Sequence, residues 1–137
     1  MGFETFMKRK VFLGGTCNKS TWREELIPML DNIGVKYFNP VVDDWTPECQ
    51  QEERRQRIEC DFCLYCITKE MTGVYSIAEV VQDSNKRPRT TLFCVLKDGF
   101  DQPQLRSLQQ VMDMVQNNGA TVFTDLKQVV DHLHKIG

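Results

Sequence analysis

"FCLYCITKEMTGVYSIAEVV", residues 62–81, combines in one stretch the two kinds of element that decide the fold. Its first six residues form an apolar run of strand formers, and a loop containing Gly73 follows. The helix after the loop carries Glu79 among apolar residues such as Ile77 and Val80. A buried strand that leads through a loop into a helix is typical of parallel α/β sheets. The stretch therefore predicts an α/β fold, and it raises the question of why an apolar turn carries an acid.

Strands and helices continue to alternate on both sides of this stretch. The predicted strands are residues 10–15, 35–40, 62–67, 90–96 and 120–123. The predicted helices are residues 20–34, 47–59, the segment around Glu79, 104–119 and 125–135. Thr21 and Glu24 can form a capping box in the first helix. With right-handed crossovers, these elements predict a single doubly wound α/β domain, flavodoxin- or Rossmann-like, over residues 1–137. Its five-stranded parallel sheet is expected in the order 2-1-3-4-5.

The composition limits the class of partner. There are 17 Lys and Arg residues against 19 Asp and Glu residues, a formal net charge of −2. This balance gives no electrostatic basis for binding a nucleic acid polymer or an anionic membrane. No apolar run approaches the roughly 18 residues of a membrane span, and the first residues, MGFETFMKRKVF, are not typical of a signal peptide. We therefore expect a cytoplasmic protein with a small-molecule partner.

Cys60, Cys63 and Cys66 form two overlapping CxxC patterns, which suggest a zinc or redox site. Cys63 and Cys66 also lie in a predicted strand, where residues three apart point to opposite faces. They then cannot bind one ion together, and the second CxxC pair of a structural zinc site is missing. We therefore favour buried thiols and expect neither a metal nor a cofactor.

Ligands of doubly wound sheets bind at the carboxyl ends of the strands, near the change in strand order. The segments expected at that edge are residues 14–18, 39–45, 68–75 and 97–103. The charge run EERRQR, residues 52–57, is instead typical of a solvated helix face. The candidates for contact with a substrate in and beside the ligand edge are Gly14, Gly15, Thr16, Trp22, Arg23, Asn39, Asp43, Trp45 and Tyr75.

Each group of candidates has a structural alternative. GGTCN, residues 14–18, lets a ligand approach the backbone closely or forms an ordinary turn, and it is neither GxGxxG nor a Walker loop. Trp22 and Arg23 can stack on and contact a polar ligand, or they can belong to the core and to an ion pair. The loop NPVVDDW, residues 39–45, can recognise a ligand or can simply supply turn formers.

Asp61 and Glu79 are the candidate catalytic residues. Two carboxylates that converge on one crevice support acid–base or nucleophilic chemistry at a glycosidic carbon. The N-terminus of a helix favours the ionised form of Glu79, whereas burial favours the protonated form. An ion pair with Arg23 or another base is the structural alternative for Glu79.

In this order, the pieces of the chain resemble the nucleoside 2-deoxyribosyltransferase-like family, within a wider group that includes nucleotide N-glycosidases. The resemblance is carried by VFLGGT, STWREEL, YFNPVVDDW, CDFCLYCIT, TGVYSIAEVV and KRPRTTLFCVL. It implies that Glu79 is the nucleophile that forms a glycosyl ester, with Ser76 in the place of the family's usual threonine. It also implies a homodimer or higher homo-oligomer in which a neighbour completes the site, with the KDGFDQ loop (97–102) as a contributor.

The resemblance implies an enzyme that cleaves or transfers the N-glycosidic bond of a (deoxy)nucleoside or nucleotide. Gly73 stands six residues before Glu79, where family transferases carry an aspartate, and Glu70 is a nearby substitute. Arg23, Ser76 and Lys97 are candidate contacts for a 5′-phosphate. Two alternatives stay open. One is a nucleotide-binding module without catalytic activity, and the other is a flavodoxin-like redox protein, suggested by the CxxC pairs.

Overall fold

A parallel sheet of five strands, in the order β2-β1-β3-β4-β5, forms the centre of the protein. The computed structural model describes residues 9–17 and 19–136. Within them the strands are β1 (Lys10–Gly15), β2 (Lys36–Phe38), β3 (Phe62–Ile67), β4 (Thr91–Val95) and β5 (Thr121–Phe123). The predicted fold class and strand order are confirmed.

The described residues also form five α-helices, which are α1 (Trp22–Asn32), α2 (Pro47–Glu59), α3 (Tyr75–Lys86), α4 (Gln102–Asn117) and α5 (Leu126–Ile136). The predicted bounds of β1, α2 and β3 are confirmed residue for residue, and the other predicted bounds differ by one or two residues. None of these five helices is both long and apolar enough to cross a membrane.

The two helix starts that could be compared with sequence patterns behave differently. The predicted capping box at Thr21 is wrong, because no side chain caps α1 and the Thr21 hydroxyl donates to the Glu25 carboxylate instead, at 3.4 Å. At α2, the Thr46 hydroxyl accepts from the backbone N–H of Cys49 at 3.1 Å. Pro47 takes the first helical position, where its missing N–H has no cost.

Helices cover both faces of the sheet and produce two apolar cores. On one face, α1 and α5 pack side chains such as Trp22 and Leu133 against the strands. On the other face, α3 and α4 contribute side chains such as Val80 and Met112. Every residue of β3 is buried, as expected for a central strand with helices on both faces.

The cysteines of β3 are divided between these two cores. Cys63 packs on the face covered by α3 and α4, and Cys66 packs on the other face. This arrangement confirms the prediction from strand geometry that the two thiols point apart. Cys60, Cys63, Cys66 and Cys94 are buried free thiols. Among the described residues, no group of three or more His, Cys, Asp or Glu side chains could hold a metal ion.

α2 differs from the other helices because it has almost no apolar face. Its buried residue is Gln56, and the side chain of Ile58 is 75% exposed. A helix that buries so little apolar surface must be held in place by polar contacts with its neighbours. Arg57, near its carboxyl end, makes such contacts with β3 and α3. An open cleft lies between α2 and α3.

Gly15 ends β1 at a close approach of two backbones. Its φ is +116°, in the left-handed region that glycine tolerates and other residues avoid. A Cβ at this position would lie 2.1 Å from the carbonyl oxygen of Cys66 on β3. The backbone N–H of Thr16 donates to that same oxygen at 2.9 Å. Glycine is therefore required where the first loop leaves the sheet.

Replacing Gly15 by Ala should destabilise the fold by roughly 3 kcal/mol or more, because the substitution adds backbone strain to a collision with the backbone of β3. The matched control is Gly73→Ala, where a Cβ would meet no atom within 4 Å. That variant should change the free energy of unfolding by less than about 1 kcal/mol. Urea unfolding of both variants measures the difference, and equal stabilities would contradict the account of Gly15.

Candidate functional site

The first loop, described for residues 14–17, is held in place by side chains from the start of α1. The indole N–H of Trp22 donates to the carbonyl oxygen of Thr16 at 2.8 Å. The guanidinium of Arg23 donates to the carbonyl oxygens of Thr16 at 2.7 Å and of Leu13 at 3.0 Å, and its carbon lies 4.3 Å from the centre of the Trp22 ring. Both side chains are buried. The polar groups of both side chains therefore hold the loop, which corrects the expectation that Arg23 contacts a ligand. Trp22 also lines a further cleft, described below, so a ligand contact for its ring stays a prediction.

A cleft at the carboxyl ends of β1 and β3, which we name the loop cleft, has a volume of about 290 Å³. It is lined by Gly15, Thr16, Cys17, Ile67, Met71, Thr72, Gly73, Tyr75 and Ser76. The Thr16 hydroxyl accepts from the backbone N–H of Thr68 at 3.0 Å and so joins the two loops that form the cleft. Gly14 lies below the cleft, where a Cβ would press on the rings of Tyr65 and Phe12. Gly14 therefore serves packing within the sheet.

A second cleft, which we name the helix cleft, lies between α2 and α3 and has a volume of about 410 Å³. Its lining residues are Trp45, Gln50, Glu53, Arg54, Arg57, Ile58, Tyr75 and Glu79. Trp45 and Tyr75 are 62% and 74% exposed, so two aromatic rings stand open to solvent here. Because Tyr75 lines both clefts, they adjoin. Ser76 lines the loop cleft and Glu79 lines the helix cleft, so two residues of one helix face adjoining clefts.

Glu79 is an acid held largely out of water. Its side chain is 13% exposed, and its Oε2 lies 3.4 Å from Nε of Arg57. Burial raises the pKa of Glu79 to about 7, with Arg57 opposing the rise and the charges of Glu53 and Asp83 adding to it. The helix dipole acts most strongly within the first turn of a helix. Glu79 is the fifth residue of α3 and therefore lies beyond that turn. Burial therefore outweighs the opposing charge of Arg57 and favours the protonated form of Glu79.

Arg57 is the cation beside Glu79, and it was missed because its charge run predicts a solvated helix face. Its Nε donates to the Tyr65 hydroxyl at 2.8 Å, and its Nη2 donates to Oδ1 of Asp83 at 2.9 Å. The Tyr65 hydroxyl donates to Oδ2 of Asp83 at 2.6 Å. The sequence signal for a nearby cation was Asp83, an acid one helical turn after Glu79 on the same apolar helix. The ion-pair partner of Glu79 is thus Arg57 and not Arg23.

Glu53 is a second acid that the sequence did not single out. It lies on α2 and lines the helix cleft together with Glu79. Burial raises the pKa of Glu53, while Arg23 and Arg54 oppose that rise. Its negative charge in turn raises the pKa of Glu79. The helix cleft therefore brings together two carboxyl groups that differ from the predicted pair.

Asp61 is placed at the other edge of the sheet. It is exposed, and its Oδ2 accepts from the backbone N–H of Lys10 at 2.8 Å. Lys10 begins β1, so this contact lies at the amino ends of the strands. The residues that line the loop cleft follow the carboxyl ends of the same strands. The prediction that Asp61 and Glu79 converge on one crevice is therefore wrong, because the acid before β3 and the loop after it lie at opposite edges.

The remaining candidates are distributed over several places. Oδ1 of Asn39 accepts from the backbone N–H of Val41 at 3.1 Å, which is turn chemistry, and Asp43 is exposed.

Glu70 lines a third cleft of about 560 Å³ together with Lys97, and its carboxylate accepts from the Thr68 hydroxyl at 2.6 Å. Lys97 therefore lies on a different cleft from Glu79. Within the loop of residues 39–45, Trp45 lines the helix cleft.

This arrangement is a doubly wound α/β fold in which an acid and two exposed aromatic rings line one cleft. The chain belongs to the nucleoside 2-deoxyribosyltransferase-like family, whose sequence model matches residues 8–98. Its structure is similar to that of the 2-deoxyribosyltransferase of the psychrotolerant bacterium Bacillus psychrosaccharolyticus. That similarity has a TM-score of 0.56 at 12% identity and covers 89% of this chain and 90% of the other, which shows the shared fold. No curated protein matches the chain in sequence.

The raised pKa of Glu79 makes stability depend on pH in a known direction. Because the pKa of Glu79 is raised from 4.5 to about 7, the protonated form favours folding. Its contribution is complete below pH 4.5 and is lost as the pH rises through 7. Glu79→Gln cannot ionise, so its stability relative to the parent protein should rise by about 3 kcal/mol between pH 4.5 and 8.

Urea unfolding at several pH values measures this difference. Glu24→Gln, which removes an exposed carboxyl group of α1, is the matched control. A stability difference between Glu79→Gln and the parent protein that stays constant from pH 4.5 to 8 would show that Glu79 is not held in a desolvated site.

Proposed function

We propose that the protein cleaves or transfers the N-glycosidic bond of a (deoxy)nucleoside or nucleotide, with the Glu79 carboxylate as nucleophile. The observation that carries this proposal is the placement of Glu79, a largely buried acid on the wall of a cleft that also presents two exposed aromatic rings. Membership of the nucleoside 2-deoxyribosyltransferase-like family supports the same reaction class.

The proposed reaction has two displacement steps. A carboxylate oxygen of Glu79 bonds to the anomeric carbon of the sugar while the carbon–nitrogen bond breaks and its electron pair leaves with the base. A nitrogen of a second base, or the oxygen of water, then bonds to the same carbon and releases the carboxylate. Transfer results from the first acceptor and hydrolysis from the second. Exclusion of water from the cleft by a bound base favours transfer.

Glu53 is our candidate for the residue that donates a proton to the leaving base. It lines the same cleft as Glu79, from the facing helix α2. The position that holds an aspartate in family transferases is Gly73, whose surroundings contain no atom within 4 Å of an added Cβ. In the proposal an acid from α2 thus takes the place of an acid from the loop before α3.

The two clefts suggest how a substrate is divided between them. Exposed aromatic rings such as Trp45 and Tyr75 provide stacking surfaces for a nucleobase, an interaction worth about 1–3 kcal/mol per base. The loop cleft, with Thr16 and Ser76, offers hydroxyl and backbone groups suited to a sugar or a 5′-phosphate. Arg23 and Lys97 are no longer candidates for the phosphate, because Arg23 is committed to the first loop and Lys97 lines the third cleft.

We propose further that the chain forms a homodimer or higher homo-oligomer. Large apolar side chains are exposed on the loop before α2 and at the start of α3, including Val41, Val42, Val74 and Tyr75. Exposed apolar groups that cluster near a site are typical of interfaces between subunits. A sedimentation experiment that finds only monomer at micromolar concentrations would contradict this part of the proposal.

A second candidate function is a nucleotide-binding module without catalytic activity. Gly73 favours it, because the acid that family transferases carry there is missing. Such a module would gain thermal stability from a nucleoside or nucleotide without turning it over.

Replacing Glu79 by Gln should reduce base exchange and base release by roughly a thousandfold or more, because the carboxylate that forms the covalent bond is removed. Asp61→Asn is the matched control and should retain activity, since Asp61 lies at the amino edge of the sheet. The assay is chromatographic, with a panel of deoxynucleosides, their 5′-monophosphates and a free acceptor base.

Comparison of each nucleoside with its monophosphate in this assay also measures the requirement for a 5′-phosphate. Full activity of a folded Glu79→Gln variant would remove Glu79 as the nucleophile. Ligand-dependent stabilisation with no product from any substrate would support the binding module instead.

A further inference from the structure

Arg57 reaches from the end of α2 to the wall of the helix cleft. Its Nε lies 3.4 Å from Oε2 of Glu79. The same Nε donates its hydrogen to the Tyr65 hydroxyl on β3 at 2.8 Å, and Nη2 donates to Oδ1 of Asp83 on α3 at 2.9 Å. The side chain is 19% exposed. A single cation thus meets Glu79 from a position fixed by two other elements.

We propose that Arg57 is the positioning residue for Glu79, and that its guanidinium, fixed by Tyr65 and Asp83, places a positive charge beside the Glu79 carboxylate that favours its ionised form in the helix cleft. The inference rests on the proposed function in that an ionised Glu79 is the form that attacks the sugar. It goes beyond that function because it assigns the state of the nucleophile to a residue on another helix.

The groups that hold Arg57 are themselves well fixed. Tyr65 is fully buried, and burial raises its pKa, so it stays a neutral hydroxyl that accepts from Arg57 and donates to Asp83. The side chain of Asp83 is 4% exposed and also forms an ion pair with Arg87 at 3.5 Å. A buried carboxylate with this set of partners has little freedom to move, because each lost contact would leave a buried charge unsatisfied. Arg57 is held equally firmly.

The charges around Glu79 show why Arg57 decides its ionisation. From α2, Arg57, Arg54 and Glu53 face the cleft, and from α3, Asp83 lies one turn further along. Burial and the two acids raise the pKa of Glu79, and Arg57 lowers it. An opposite charge within about 4–6 Å typically lowers the pKa of a carboxyl group by roughly 1–3 units. Without Arg57, Glu79 would be protonated over most of the neutral range.

A purely structural role for Arg57 makes a different prediction. If Arg57 only fastened α2 to α3, loss of either Arg57 or Asp83 would loosen the cleft and admit water to Glu79. The pKa of Glu79 would then fall in both variants, towards that of an exposed acid. In the proposed role, removal of the cation and removal of the acid act in opposite directions.

The test is the pKa of Glu79 itself, measured by carbon-13 NMR of the side-chain carboxyl, with Glu79→Gln used to assign the signal. Arg57→Gln should raise this pKa by about one unit or more, and Asp83→Asn should lower it. Arg57→Lys should return part of the shift, because it keeps the charge and loses the forked contacts. On the acidic side of the pH profile, kcat/KM should fall tenfold for each pH unit below the pKa of Glu79. In each variant, this fall should shift along the pH axis by the measured change in that pKa.

Arg55→Gln is the matched control, since it removes the same charge from the same helix, where Arg55 is exposed and paired with Glu52 and Glu59. It should leave the pKa of Glu79 unchanged. If Arg57→Gln does not fold, Arg57→Lys and Asp83→Asn decide the question. An unchanged or lowered pKa of Glu79 in Arg57→Gln, a lowered one in Arg57→Lys, or a raised one in Asp83→Asn overturns the inference. Shifts as expected, in a protein that turns over no nucleoside, would support the inference and count against the proposed function.

Discussion

The buried contact of Arg57 with Tyr65 and Asp83 is the interaction on which the helix cleft depends. α2 has almost no apolar face to bury, so the hydrophobic effect does little to hold it against the sheet. Arg57 supplies the missing attachment by joining α2 to β3 and α3, and Arg87 donates to the carbonyl oxygen of Arg57 from the end of α3. A helix attached by its last turn leaves the rest of its length as the wall of an open cleft. The same contact places a positive charge beside Glu79.

Glu79 answers the question that its position in the sequence poses. An acid on an apolar turn is partly desolvated, which raises its pKa and costs folding free energy when it ionises. A nucleophile that must be dry and also charged needs a compensating cation, and the ion pair with Arg57 provides one. In the proposed mechanism, burial leaves the carboxylate poorly solvated and therefore reactive, and the charge of Arg57 favours its ionised form. In the proposed mechanism, the burial that makes the ionised carboxylate reactive also lowers the free energy of unfolding.

The sheet could be predicted from sequence because its signals are local. β3 is apolar throughout since it is buried on both faces, and the bounds of α2 follow from the Thr-Pro start that caps it. The site could be predicted only in part. A local motif predicts Glu79, which lines a cleft in the structure, whereas the contacts of Arg57 depend on a long side chain that crosses between elements, which no spacing rule describes.

The errors in the predicted site have related causes. Asp61 was paired with Glu79 because the two lie near one strand in sequence, but the direction of the strand puts the acid at the opposite edge. The charge of Arg23 predicts contact with a ligand, but its guanidinium instead donates to the carbonyl oxygens of Leu13 in β1 and Thr16 in the first loop. Sequence patterns indicate the chemistry that each residue can offer. The tertiary structure determines which partner that residue contacts.

The central claim is that Glu79 forms a covalent bond with the sugar, and acid quenching during the first turnover tests it most directly. The protein is mixed with a deoxynucleoside in the absence of an acceptor base, quenched, digested and mapped by mass spectrometry. The account predicts a peptide that contains Glu79 and is heavier by one deoxyribosyl group, and no such peptide from Glu79→Gln. Release of the base with the sugar bound to another residue, or with no modified peptide at any quench time, would contradict it.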